Sequence, residues 1–281
     1  MKLSTRIFGI LPFLLLLSGL SAMPATGPEN SLNSFSGEKG TVRISGGTAH
    51  IPDMGEAARR IMRFNPDIRI TIAGGGSGAG IKQVGEGLVD IGNSGRRATD
   101  FEISKYGLRV FELAIDGVGI IVNPRNPVSA LSTSQLRDIY SGKINNWHDL
   151  GGGDGSITVY TRDNSSGTRE VFWDKALDRG TITDRAHFAI SNGAMKAAVS
   201  QDPNGIGYIS AGHIDESVIP VALDGVTPGL ENIRTGRYPI SRVLYSNTGG
   251  NPTPLTLKLV EYLLAPEGQA LFKEKGFIPV K

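Results

Sequence analysis

The chain has 281 residues, of which 39% are hydrophobic and 20% charged, enough for two modest cores and too apolar for wholesale disorder. Cysteine is absent, which excludes disulfides, thiolate metal sites and a thiol nucleophile, and the four His show no paired metal-ligand spacing. The 38 Gly are close to twice the average usage and follow no collagen-like period, so they imply tight turns and close backbone approaches.

Residues 1–25 are expected to be a removable export signal. Lys2 and Arg6 supply the positive start, Ile7 to Leu17 is an apolar run too short to span a membrane, and Ser18 to Ala25 offer small residues for cleavage. No Cys follows for lipid attachment, so the expected location is the periplasm, without a lipid anchor. The segment carries two basic residues and no acidic one, so the 29 basic and 27 acidic residues of the chain balance once it is removed. A near-neutral mature protein argues against a nucleic-acid surface. Residues 26–40, rich in Ser, Asn, Gly and Glu, are expected to be a flexible leader.

Thr41 to Ser45 alternates like a strand, and Pro52 to Phe64 carries a helical stripe of Met54, Ala57, Ala58, Ile61 and Met62. Ile68 to Ala73 predicts a strand, Gly74 to Gly80 a turn, then a helix through Ile81, Val84 and Leu88, then a strand over Val89 to Gly92. This recurrence of strand, glycine turn and helix predicts an α/β fold with a largely parallel sheet. Val118 to Val122 is a buried-strand run, and the junction at Ile115 to Gly119 is the expected first crossing between domains. A second α/β unit follows, with helices around 134–140, from Gly167, and over 193–200, and strands at 156–161 and 206–210. Tyr238 to Tyr245 is the expected return crossing, and helices over 254–264 and 266–275 complete the first domain. The expected domains are 41–117 plus 240–281, and 118–239, joined by two crossing strands with a ligand cleft between them.

Three strand-to-helix turns could hold an anion. In Arg162-Asp-Asn-Ser-Ser-Gly-Thr168, helix N-terminal amides, the Ser166 and Thr168 hydroxyls, the bare backbone of Gly167 and the fork of Arg162 suit a tetrahedral oxyanion. Gly74 to Gly80 with Ser77 can form a concave nest of amides; it lacks a P-loop Lys and fits a dinucleotide fingerprint only loosely. Gly46-Gly47-Thr48-Ala49 offers Thr48 as a helix cap. Two turns come from one domain and one from the other, so a ligand pinched between the domains would touch all three.

These residues resemble the periplasmic phosphate-binding proteins of ABC-type phosphate uptake. Arg162 to Thr168 is similar to that family's R-x-x-x-S-G-T signature, Ser77 with Gly80-Ile-Lys-Gln83 to its Gly/Ser loop, Leu136 to Trp147 to its second-domain helix and turn, and Tyr238-Pro-Ile240 to its late crossing. The resemblance runs from Val42 to the C-terminus. It implies a two-lobed periplasmic-binding-protein-like fold of the type II class, inorganic phosphate as ligand, an inner-membrane ABC permease as partner, a monomer, and no cofactor, metal or catalytic residue. It also implies that Thr48, Ser77, Arg162, Ser166, Gly167 and Thr168 touch phosphate, helped by the Ala49 amide. One departure stands out: Gly95 falls where many members carry an Asp that accepts a proton from the bound anion, and Arg96 is expected to supply extra charge instead. The alternatives are a binding protein for sulfate, molybdate or tungstate, and a secreted phosphatase. The second lacks a G-x-S-x-G elbow and a His–carboxylate cluster.

Overall fold

The structure is a computed structural model describing residues 31–280. The expected export signal over 1–25 and the start of the expected leader lie outside the described residues. The rest of that leader departs from expectation. Ser31–Phe35 is a 3-10 turn, and Phe35 is fully buried, edge-on to Tyr262 at 5.8 Å. Asn65 locks the segment by donating to the carbonyls of Phe35 and Glu38, both at 2.7 Å. Burying one Phe contributes roughly 1.5–3 kcal/mol, enough to order a short polar stretch around it.

The first half of the chain alternates strand and helix: β1 (Gly40–Gly46), α1 (Ile51–Phe64), β2 (Ile68–Gly75), α2 (Ser77–Gly85), β3 (Ile91–Ser94) and α3 (Asp100–Tyr106). The stripe on α1 buries Met54, Ala57, Ala58 and Ile61 against the sheet. α2 stops at Gly85, which packs against the Tyr106 ring too closely to admit a side chain, so Leu88 falls outside the helix and is exposed. α3 has no buried residue and therefore no periodic signal; a capping box between Thr99 and Glu102 holds it.

β4 (Arg109–Val122) is one continuous strand of 14 residues, starting well before the expected run. Beyond it come β5 (Ala130–Leu131), α4 (Thr133–Ser141), β6 (Thr158–Thr161), α5 (Gly167–Lys175), β7 (His187–Phe188), α6 (Asn192–Gln201), β8 (Gly205–Ser210), β9 (Ile219–Pro220), β10 (Ala222–Leu223) and α7 (Leu230–Arg234). The chain returns through β11 (Ser241–Thr248) and ends in α8 (Pro254–Leu264), α9 (Pro266–Glu274) and β12 (Ile278–Pro279).

The main sheet runs β2-β1-β3-β11-β4-β8-β6-β7. It is mixed and not largely parallel. β1 pairs parallel with β2 and β3, and β6 with β7 and β8, but β4 is antiparallel to both β11 and β8, and β11 to β3. The reason is topological: a chain that crosses on one strand and comes back on the next must lay them antiparallel. Apolar side chains from 118–240 form one large core, most of those from 35–114 and 244–277 form another, and Ile81, Val84, Ala98 and Leu108 form a small third cluster. β4 belongs to both lobes, pairing with β11 as far as Gly117 and with β8 from Val118 onward.

Asp53, in the first turn of α1, is fully buried, and neither carboxylate oxygen has a partner among the described residues. Burial raises its carboxyl well above the usual range, and the Asp116 charge adds to this against the pull of the helix amides and Lys275. The folded state thus holds this proton more tightly than the unfolded chain, so stability falls as pH rises above the unfolded value of about 4. Asp53→Asn should be more stable than the parent at pH 8, with the difference shrinking toward pH 4. Urea unfolding at both pH values measures this; a pH-independent difference would mean that Asp53 is charged in the fold.

Candidate functional site

The aromatic core of the second lobe positions the key side chain. Phe172 stacks on Tyr208 at 4.0 Å and packs on Tyr140. The stack fixes the Tyr208 hydroxyl, which meets Thr161 Oγ1 at 3.0 Å and accepts from the Arg162 amide at 3.1 Å. Arg162 therefore leaves the end of β6 in one direction and is 1% exposed. Its Nη2 donates to the Ile190 carbonyl at 3.2 Å, while Nε and Nη1 are buried with no partner among the described residues. Burial lowers the guanidinium's hold on its proton, and the nearby Arg242 charge pushes the same way, against Tyr208 and Asp163. A buried guanidinium with two unpartnered nitrogens beside a second cation is a strong local demand for an anion.

Arg162 lines a small hollow between the lobes together with Thr48, Ala49, Ser77, Ser166, Gly167 and Thr168, all expected from the sequence, and with Gly47, Gly76, Gly95 and Arg242. α5 begins there, and Ser166 caps it by accepting from the Arg169 amide at 3.2 Å. α2 also begins there, and Ser77 accepts from the Gly95 amide at 2.9 Å. Thr48 does not act as the expected cap. It sits in a 3-10 turn before α1, and its Oγ1 accepts from the Asn192 amide at 3.1 Å and from Asn192 Nδ2 at 2.9 Å.

Arg96 is not in the hollow. Thr99 and the capping box place Glu102 so that it grips the Arg96 guanidinium with two bonds of 2.8 Å, and Glu170 approaches it at 3.4 Å. Two carboxylates thus hold Arg96 at the outer edge, where it ties α3 to α5.

The second cation is Arg242, which sequence reasoning missed. Its Nε and Nη2 donate to Asp116 Oδ2 at 3.0 and 2.9 Å, and Nη2 also donates to Thr168 Oγ1 at 2.9 Å. The pair is almost wholly buried on the two crossing strands. Asp116 Oδ1 takes the Ser210 hydroxyl at 2.8 Å and the Ala211 amide at 3.2 Å. The available signal was a charge inside each apolar crossing segment, Asp116 in one and Arg242 in the other. Asn192 gave no signal beyond opening a helix.

The lobes meet across this hollow. Gly78 donates to the Ser165 carbonyl at 3.3 Å, the Ser165 hydroxyl to the Gly75 carbonyl at 3.2 Å, and His213 Nε2 lies 3.0 Å from the Thr48 carbonyl. Gly76, at φ +85°, makes the approach possible: a Cβ there would lie 2.6 Å from the Ser165 carbonyl oxygen. Burial pushes His50 down to about 3 and His213 down to about 4, so both are neutral near pH 7. A larger, more open groove on the second lobe, beside Ser141, Thr183 and His187, contains none of the unpartnered buried polar atoms.

Comparison with known proteins places this geometry. Residues 33–267 match the model of the PBP superfamily domain. The phosphate-binding protein PstS of Bacillus subtilis is 37% identical over 258 residues, covering 90% of this chain and 86% of that protein. PstS of Pseudomonas aeruginosa PAO1 is 29% identical over 251 residues, covering 79% of this chain and 78% of that protein. A Clostridium perfringens substrate-binding protein, crystallised with bound phosphate, superposes with a TM-score of 0.80 at 35% identity, covering 86% of this chain and all (100%) of that one. An ABC-type phosphate transport receptor from Vibrio cholerae gives a TM-score of 0.66 at 32% identity, covering 84% of this chain and 99% of that one. With its two α/β lobes, crossing strands and cleft, the chain belongs to the PBP superfamily, in the family of the phosphate-binding PstS proteins.

Proposed function

We propose that this protein is an exported, monomeric solute-binding protein that captures inorganic phosphate between its lobes and hands it to an ABC permease. The lobes are 41–117 plus 240–281, and 118–239. The observation that carries the reading is the buried Arg162 guanidinium, with Nε and Nη1 unpartnered among the described residues, on the wall of a hollow between the lobes. The names of the relatives and the bound phosphate of the Clostridium structure support phosphate as the ligand. Against a phosphatase, the lining has no carboxylate and no His to act as a general base.

In this reading Arg162, the Ser166, Thr168, Ser77 and Thr48 hydroxyls and the turn amides replace the water around the anion. Each hydrogen bond to the charged ligand contributes roughly 1.5–3 kcal/mol. Much of the sum is offset by stripping the anion of water and fixing the lobes, so affinity depends on how rigidly the donors are held. The Tyr208 stack, the Ser166 and Ser77 bonds and the Asp116–Arg242 pair supply that rigidity. Closing of the lobes around the anion would create the form that a permease selects.

Arg162→Ala should weaken phosphate binding at least tenfold by calorimetry; unchanged affinity would remove Arg162 from the site. Gly76→Ala tests closure. Its methyl group would press on Ser165 across the cleft, so affinity should fall more than tenfold while the ligand-free chain loses only about 1–2 kcal/mol of stability, read by thermal unfolding. Full affinity in Gly76→Ala would show that the bound form does not need this contact.

A further inference from the structure

Arg242 is the second guanidinium on the wall of the hollow, and the use of its protons can be followed one by one. A guanidinium has five N–H protons. Nε gives its single proton to Asp116 Oδ2 at 3.0 Å, and Nη2 gives its two to Asp116 Oδ2 and to Thr168 Oγ1, both at 2.9 Å. Nη1 makes no bond to the protein among the described residues, so its protons are unspent on a side chain that is almost wholly buried.

Gly95 shows where Nη1 stands. The three atoms that a Cβ at position 95 would meet first all belong to Arg242, and Nη1 is the nearest at 2.5 Å. Gly95 and Arg242 both line the hollow, together with Arg162, Ser77 and Thr168. Gly95 does not have a left-handed φ, so the backbone does not demand glycine there; the guanidinium does. The space in which the family resemblance places an Asp side chain is thus filled by a cation.

The clamp on Arg242 belongs to the protein. Asp116 faces it in register on the antiparallel neighbour β4, and Asp116 is itself fixed by the Ser210 hydroxyl at 2.8 Å and the Ala211 amide at 3.2 Å. Holding the Nε–Nη2 edge from that side aims the remaining nitrogen away from Asp116. Arg162 has its own two unpartnered nitrogens, and the Arg242 charge is near enough to weaken its hold on its proton. Two buried like charges repel, and an anion lying against both relieves the repulsion.

We propose that Arg242 is a direct ligand of the captured oxyanion, donating through Nη1 from β11 while Arg162 donates from the end of β6, with Asp116 as its positioning residue and Gly95 as the gap that admits it. The inference rests on the oxyanion-capturing reading above and adds a ligand to that site. Arg242 then acts on the anion twice, directly through Nη1 and through the Thr168 hydroxyl that it orients.

Arg242→Gln alone would strand the Asp116 carboxylate in the interior, so the two are changed together. With Asp116→Asn and Arg242→Gln, the side-chain amides can bond to each other across the strands, which keeps the tie between β4 and β11 and removes the guanidinium. Calorimetric titration of the intact protein with inorganic phosphate compares the parent, this double variant, Gly95→Ala, and the triple variant. The double variant should bind at least about tenfold more weakly than the parent. Gly95→Ala, whose methyl group pushes Nη1 aside, should cost about tenfold in the parent and less than about threefold in the double variant, where the group it displaces is gone. A double variant within about threefold of the parent, or a Gly95→Ala change that costs nothing or costs the same in both backgrounds, overturns the proposal and leaves phosphate capture through Arg162 standing. Should thermal unfolding show that the double variant does not fold, Gly95→Ala decides alone: weakened binding upholds the proposal and unchanged affinity overturns it. A parent that binds no phosphate overturns both this proposal and the capture reading.

Discussion

A buried cation without a partner is the constraint around which this molecule is arranged. Taking a guanidinium out of water and leaving two of its nitrogens unpaired is costly, and a fold keeps such an arrangement only where something else gains from it. Here the aromatic core of the second lobe and the Ile190 carbonyl keep Arg162 in place. The Phe172–Tyr208 stack fixes a hydroxyl, the hydroxyl fixes the Arg162 amide, and the Ile190 carbonyl holds one end of the fork. Nε and Nη1 have no partner on the protein among the described residues, and Arg162 lines the hollow.

The crossing strands serve the same end. The antiparallel strands β4 and β11, at the crossing between the lobes, put Asp116 and Arg242 opposite one another, and that pair reaches Thr168 on the far lobe. A buried ion pair adds little net stability by itself. Its value here is positional, since it orients Arg242 Nη2 toward the Thr168 hydroxyl and so leaves that hydroxyl's proton for a ligand. Asn192 does the same for Thr48, joining the first lobe to the start of α6. Binding chemistry and lobe contact are thus carried by the same few side chains.

Much of this was legible in the sequence because it rests on local patterns. The α1 stripe, the glycine turn before α2 and the Ser166–Thr168 turn before α5 each announce themselves within ten residues. What escaped was long-range. Arg242 meets Asp116 across 126 positions and Thr48 meets Asn192 across 144, and no local period encodes such pairs. Arg96 misled for the opposite reason: a cation beside a cleft turn reads as a ligand group until Glu102 and Glu170 are placed around it. The leader misled because its composition is polar, while a single residue, Phe35, decides its fate.

A crystal structure of the protein grown with inorganic phosphate would test the central claim most directly. The expected result is a tetrahedral anion in the hollow with oxygens within about 3 Å of Arg162 Nε and Nη1 and of the Thr168 hydroxyl. An anion bound elsewhere, with those two guanidinium nitrogens turned to an acceptor on the protein, would contradict it.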